Sequence, residues 1–112
     1  MRKFALFAFE GEEMCFNHVL LNALDLDSKG YSVKIIFEGA SVTLPPVLEK
    51  KEHPLYLKCK EKGLIAGVCE ACSRALDSYE AIKELDLPFL KDMKGHPSFE
   101  SFIKEGYEII RM

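Results

Sequence analysis

Short apolar runs alternate with segments of helical periodicity along the chain, and this alternation constrains the fold more than any other feature. Residues 3–9 are apolar at nearly every position, as in a strand that is covered on both faces. Residues 13–29 then carry apolar side chains at helical spacing, and Gly30 ends that segment. Apolar runs at 32–37 and 64–68 repeat the strand pattern. Strands that alternate with helices predict an α/β fold with a parallel sheet.

The rest of the chain continues the alternation. Asp77 and Glu80 form a capping-box pattern for one of the later helices, and Pro88 restricts a short fourth strand to a sheet edge. The expected elements after the second strand are a helix that begins near Pro46, a helix from residue 53 or 54 to 62, a strand at 64–68, helices at 70–76 and 78–85, an edge strand at 87–90, a helix that begins at Pro97 and a strand at 107–112.

This order of elements predicts a single domain over residues 1–112. We expect a three-layer sandwich of flavodoxin-like architecture, in which a mostly parallel sheet of about five strands is flanked by helices.

Composition narrows the function classes. The chain has 15 basic and 18 acidic residues and a formal net charge of -3, which is too acidic for a protein that binds nucleic acid by neutralising phosphates. No segment has membrane-spanning length, and the apolar run at 4–9 is too short for a secretory signal. We therefore expect a cytoplasmic protein with no nucleic-acid or membrane partner. In that compartment, four cysteines are more often reduced, catalytic or metal-bound than paired in disulfides.

Cys69 and Cys72 form a C-x-x-C motif directly after the third expected strand and at the start of a helix. The carboxyl ends of parallel strands form the usual reactive edge of an α/β sheet, and a helix amino end favours thiolate over thiol. Glu70 opposes this effect, because a neighbouring negative charge raises a thiol pKa. The spacing is compatible with thiol or sulfur transfer, with a metal clip and with a structural role.

A second pair, Cys15 and His18, follows the first strand. Parallel strands deliver their following loops to one edge, so segments 10–18, 39–44 and 69–73 are expected to meet there. Three thiols and one imidazole would then form a tetrahedral set for zinc or another soft-preferring metal: Cys15, His18, Cys69 and Cys72. The alternative is that Cys15 packs as a small apolar residue.

Cys59 and His96 have simpler interpretations. Cys59 lies within a helical pattern and is expected to be a core residue. His96 precedes Pro97, where helix capping is the first expectation and an approach to the reactive edge is the second. The sequence contains no G-x-G-x-x-G, Walker, G-x-S-x-G or H-E-x-x-H motif.

In the C-x-x-C motif and several flanking segments, the chain resembles the DsrE/DsrF-like family of small sulfur-relay proteins, and most closely its small cytoplasmic branch. The C-x-x-C segment is the most specific part of the resemblance. The matching segments are 11–16 (GEEMCF) with the helix to Leu26, the strand and glycine turn at 33–41, 67–73 (GVCEACS), 95–98 (GHPS) and 106–108 (GYE).

The resemblance implies a five-stranded parallel sheet, homo- or hetero-oligomers, and a cysteine near the end of the third or fourth strand that carries sulfur as a persulfide. Only Cys69 and Cys72 match that location. On this reading Cys69 accepts sulfur from a donor protein, Cys72 resolves it, and Cys15 and His18 line the site. No organic cofactor is required, and the partners are sulfur-donor or sulfur-acceptor proteins.

Two alternatives remain open at the level of sequence. The first is a metal-binding module that uses Cys15, His18, Cys69 and Cys72. The second is a non-catalytic oligomeric interaction protein whose cysteines are incidental.

Overall fold

Five strands and six helices form the fold of the computed structural model, which describes residues 1–112. The strands are β1 (Lys3–Ala8), β2 (Ser32–Phe37), β3 (Ile65–Cys69), β4 (Phe89–Leu90) and β5 (Tyr107–Arg111). The helices are α1 (Glu13–Ser28), α2 (Leu44–Lys50), α3 (Pro54–Glu61), α4 (Glu70–Ala75), α5 (Tyr79–Lys83) and α6 (Phe99–Ile103), and a 3-10 turn (Gly39–Thr43) precedes α2.

All strand pairs are parallel, in the order β4-β3-β2-β1-β5. The first three crossovers advance the sheet in one direction, and only the last returns past β1 to place β5 on the other side. Because crossovers share one hand, this order places α1 to α5 on one face and α6 on the opposite face. The predicted α/β fold with a five-stranded parallel sheet flanked by helices is confirmed.

The apolar layers on the two faces of the sheet differ in thickness. The thick face lies under α1 to α5, and the thin face lies under α6. Alternate residues of β1 point to opposite faces. Phe4, Leu6 and Ala8 belong to a cluster of 20 buried residues beneath α1 to α5, whereas Ala5 and Phe7 belong to a cluster of three. On the thin face, the Phe7 ring packs edge-to-face against Phe99 and Phe102 of α6, at centroid distances of 4.7 and 5.5 Å.

Two helices begin with residues other than those predicted. The Asp77–Glu80 capping box does not form: α5 begins at Tyr79, and Ser78 is its N-cap without a side-chain cap bond. Asp77 instead ends α4, with a positive φ of 58°, while Ser78 N donates to Ser73 O and Asp77 N to Arg74 O. This pair of bonds is the Schellman arrangement of a helix carboxyl end.

The last helix also begins later than predicted. α6 starts at Phe99 with Ser98 as its N-cap, so Pro97 lies outside it. The other expected elements appear within a few residues of their predicted bounds, including the short edge strand β4. None of the six helices is both long and apolar enough to cross a membrane.

Gly67 allows β4 to approach β3. A Cβ atom at this position would lie 2.7 Å from the Pro88 carbonyl oxygen and 2.8 Å from Leu90 Cγ. Val68 N donates to the same Pro88 carbonyl at 2.9 Å. A side chain at residue 67 would therefore push away the strand whose following loop carries His96.

We predict that Gly67→Ala detaches β4 from β3, because overpacking of this kind costs about 1–3 kcal/mol. The measurement is hydrogen exchange of the Val68 amide, which should lose protection, together with the free energy of unfolding.

Gly63→Ala is the matched control, because a Cβ there meets no atom within 4 Å, although its φ of +72° still strains an alanine. That variant should lose some stability but keep the Val68 amide protected. Equal Val68 protection in the Gly67→Ala protein would contradict the close approach.

Candidate functional site

The loops that follow β1, β2, β3 and β4 meet at the carboxyl edge of the sheet. Gly11 and Ala40 are so close that a Cβ on Gly11 would lie 2.9 Å from that of Ala40. Glu38 directly follows β2, and Cys69 is the last residue of β3. The predicted convergence of segments 10–18 and 39–44 is thus confirmed at the level of the backbone.

Cys69 joins β3 to α4 and caps that helix. Its backbone is extended (φ -61°, ψ 120°), and its Sγ accepts a hydrogen bond from Cys72 N at 3.4 Å. Ser73 Oγ donates to the Cys69 carbonyl at 2.7 Å in a fully buried position. The C-x-x-C spacing therefore folds both thiols back toward one point at the start of α4.

The loop after β4 brings His96 to the same point. Met93 and His96 exchange backbone hydrogen bonds of 2.8 and 3.0 Å, so the residues between them form a tight turn. Gly95 in that turn has φ +91°, and its carbonyl accepts from Ala71 N at 2.8 Å. A Cβ on Gly95 would lie only 3.1 Å from Ala71 Cβ. Glycine thus allows the turn to sit directly on α4.

One imidazole and two sulfurs form the centre of the site. His96 Nδ1 lies 3.2 Å from Cys69 Sγ and 3.9 Å from Cys72 Sγ. The ligand atoms of these three residues all lie within 4.8 Å of one another. The Glu38 carboxylate is adjacent, with Oε2 3.6 Å from the same Nδ1. We refer to Cys69, Cys72 and His96 as the thiol–imidazole centre.

Burial controls the electrostatics of this centre. Burial raises the pKa of Cys69 to about 12, and the neighbouring Cys72 and Glu38 also favour its neutral form, although the Cys72 N–H acts in the opposite direction. Burial likewise raises the pKa of Glu38, and the His96 contact only partly offsets it. The Glu70 carboxylate, which was predicted to oppose ionisation of the thiols, lies 3.8 Å from Lys91 Nζ.

The two thiols differ in exposure. Cys69 is completely buried, whereas Cys72 is partly exposed. The His96 side chain is 39% exposed and that of Glu38 is 13% exposed. A molecule arriving from solvent would therefore meet Cys72 and His96 before Cys69.

Cys15 and His18 do not join the thiol–imidazole centre. Both are exposed on α1 and neither belongs to the group of potential ligand atoms, in which His96 occurs instead. Cys59 is a core residue, as expected: it is fully buried under α1, and burial raises its pKa to about 11. The loops after β1 and β2 come close together, but the Cys15 thiol in the first turn of α1 faces solvent.

Glu38 has no role among the expectations from the sequence, and His96 has only a secondary one. The signal for His96 was its Gly-His-Pro turn after the fourth strand, whose loop must reach the carboxyl edge. The corresponding signal for Glu38 was its position directly after the second strand. Neither position indicates by itself which way the side chain points.

These features define a small parallel α/β protein with a Cys–Cys–His centre at the carboxyl edge of its sheet. No family model matches the chain. It is 38% identical over 98 residues to the uncharacterized protein MJ0733 of Methanocaldococcus jannaschii, covering 85% of this chain and 78% of that protein. The chain therefore belongs to the same family as MJ0733.

Two further proteins are similar to this chain. An uncharacterized protein of Archaeoglobus fulgidus is 39% identical over 44 residues, which is 39% of this chain and 72% of that protein. Among solved structures, the conserved protein of unknown function BT1422 from Bacteroides thetaiotaomicron superposes with a TM-score of 0.66 at 20% identity, covering 96% of this chain and 94% of its own. The latter likeness shows the shared fold alone.

The four cysteines should react with iodoacetamide in an order set by exposure. At neutral pH we expect Cys15 and Cys72 to be alkylated first, Cys69 much more slowly, and Cys59 only after unfolding, because the last two are buried with raised pKa values. Peptide mass mapping over a time course measures the order. The same reaction in urea should label all four, and native labelling of Cys59 as fast as that of Cys15 would contradict the assignment.

Proposed function

We propose that this protein is a cytoplasmic sulfur carrier of the DsrE/DsrF type, in which a thiol of the C-x-x-C motif holds sulfur as a persulfide. The observation that carries the proposal is the partly exposed Cys72 thiol beside a buried Cys69 thiol, with one imidazole nitrogen within reach of both. Sulfur exchange needs an accessible thiolate and little further apparatus.

Exposure favours Cys72 as the carrier, rather than Cys69 as expected from sequence. In the loading step, the Cys72 thiolate attacks the outer sulfur of a donor persulfide. The donor's sulfur–sulfur bond breaks, and its electron pair leaves with the donor thiolate. His96 lies 3.9 Å from Cys72 Sγ, where it can take the thiol proton and return a proton to the leaving thiolate.

Unloading has two outcomes in this geometry. An acceptor thiolate can attack the outer sulfur, which regenerates the Cys72 thiol and transfers the sulfur. Alternatively, the Cys69 thiolate can attack Cys72 Sγ, which releases hydrosulfide and leaves a Cys69–Cys72 disulfide that an external dithiol must reduce. Because Cys69 is buried with a raised pKa, the first route dominates when an acceptor is present.

The partners in this proposal are sulfur-donor and sulfur-acceptor proteins, and no organic cofactor takes part. The proposal includes no nucleic-acid or membrane partner, and the net charge of -3 supports leaving out nucleic acid. We further propose that the protein acts as a homo-oligomer.

Incubation of the reduced protein with a persulfide donor should add about 32 Da, the mass of one sulfur atom, because Cys72 accepts a single sulfane sulfur. Intact-mass analysis under non-reducing conditions, followed by a dithiothreitol wash that removes the addition, measures this.

Three variants locate the sulfur. Cys72→Ser should abolish the addition and Cys69→Ser should retain it, while Cys15→Ser serves as the matched control with an exposed thiol outside the centre. An addition that persists in the Cys69→Ser, Cys72→Ser double variant would contradict the proposal.

A metal centre is the second candidate function, and the donor set favours it specifically. Two sulfurs and an imidazole nitrogen suit zinc or another soft-preferring metal, and donors around one tetrahedral zinc ion lie about 3.3–3.8 Å apart. The Nδ1–Sγ distances of 3.2 and 3.9 Å bracket that range. Cys69, Cys72 and His96 would hold the ion, and Cys15 and His18, which the sequence grouped with the cysteines, would not contribute.

Protein purified without added metal should contain about one zinc per chain if this second function holds, since three preorganised donors retain zinc through purification. Elemental analysis measures the content. His96→Ala should lower it strongly, whereas His18→Ala, in which an exposed histidine outside the centre is replaced, should leave it unchanged. Metal-free wild-type protein would exclude the metal function and leave the sulfur-carrier proposal in place.

A further inference from the structure

An open cavity of about 310 Å³ lies next to the thiol–imidazole centre. It occupies the carboxyl edge, between the ends of β1 and β2 and the start of α6. Its seven lining residues are Phe9, Glu38, Met93, Pro97, Ser98, Phe99 and Glu100. Glu38 belongs both to the cavity wall and to the surroundings of His96, and Pro97 directly follows that histidine. A molecule in this cavity would therefore lie beside the centre.

The lining combines apolar surface with negative charge. Met93 and Phe99 are large apolar residues that line the cavity and are 50% and 43% exposed. The only charged lining residues are the carboxylates Glu38 and Glu100, and no lysine or arginine lines the wall. The volume falls at the lower end of the range of small-molecule sites, about 300–1,000 Å³, which are mostly apolar with few polar groups.

No lysine or arginine side chain of the lining neutralises this wall. The Arg111 guanidinium lies on the Phe9 ring, with Cζ 4.4 Å from the centroid, but Arg111 is not among the lining residues. Glu38 has His96 as its only ionic neighbour, at 3.6 Å. Its carboxylate is mostly buried, with a 13% exposed side chain. A charge held at such a site acts on a ligand more strongly than an exposed one.

We propose that this cavity binds a small organic cation, an amine that carries an apolar group, with the ammonium against Glu38 and the apolar group against Met93 and Phe99. Charge complementarity identifies the occupant, because two carboxylates without a lining cation disfavour anions such as sulfur oxyanions. The inference goes beyond the sulfur-carrier proposal and does not depend on it, since no thiol takes part in the binding.

Three probes with the same ring and chain length separate charge from apolar contact: phenethylamine, 2-phenylethanol and phenylacetate. Each is titrated into the ¹⁵N-labelled full chain, and the amide shifts of Glu38, Met93 and Ser98 are followed. Phenethylamine should bind about tenfold more tightly than 2-phenylethanol, and phenylacetate should bind more weakly still.

Substitutions then test which lining residue contacts the amine and which contacts the apolar group. Glu38→Gln should lower the phenethylamine affinity to that of 2-phenylethanol. Met93→Ala should lower the affinities of both phenethylamine and 2-phenylethanol by the same factor. Glu61→Gln is the matched control, because Glu61 is an exposed glutamate of α3 outside the cavity, and it should change nothing.

Several outcomes would overturn the inference. Equal binding of amine and alcohol, tighter binding of phenylacetate, or an unchanged amine affinity in Glu38→Gln would each contradict the assigned ligand class. An absence of shifts with all three probes would do the same, as expected if a second copy of the chain closes the cavity. Since the probes contain no sulfur, none of these results depends on whether the protein accepts a persulfide.

Discussion

The common direction of the five strands is the constraint on which the rest of the structure depends. In a parallel sheet every crossover returns the chain to the amino edge, so each loop that follows a strand lies at the carboxyl edge. Glu38, Cys69 and His96 are brought together in this way from three separate connections. The hydrogen bond from Ala71 N to the Gly95 carbonyl then fixes the last of these loops on α4. The parallel strand direction brings these three residues to one edge of the sheet. The backbone hydrogen bond then fixes the position of the His96 loop relative to the two cysteines.

Much of the fold could be predicted from periodicity because burial dictates it. β1 is covered on both faces and is apolar from residue 4 to residue 8, and α1 shows its buried stripe in the sequence. The two helix starts that differ from the prediction lie where short elements follow one another. Asp77 has the residue type of a helix N-cap, yet the preceding helix uses it in a left-handed conformation to satisfy its own carbonyl groups. Sequence alone does not indicate which of two adjacent helices such a residue serves.

The candidate site was predictable in part for the same reason. The C-x-x-C motif is local, so its two thiols must lie close together in any fold that starts a helix there. The partner of those thiols depends on rotation about α1 and on the path of the loop after β4, and neither leaves a pattern in composition. Cys15 and His18 have the residue types and the place in the topology expected of metal ligands, but they are exposed to solvent. His96 instead reaches the two cysteines through a turn of only four residues.

The unequal thickness of the two sheet faces has a consequence for motion. α6 has five residues, none of which is buried, and together with the following strand it covers a cluster of only three buried residues. Elements with so little buried area open at low free-energy cost, well below that of global unfolding. The thiols rest against the opposite, thick face with 20 buried residues. The cavity wall formed by Phe99 therefore belongs to the part of the protein with the least buried apolar surface, and the sulfur atoms belong to the part with the most.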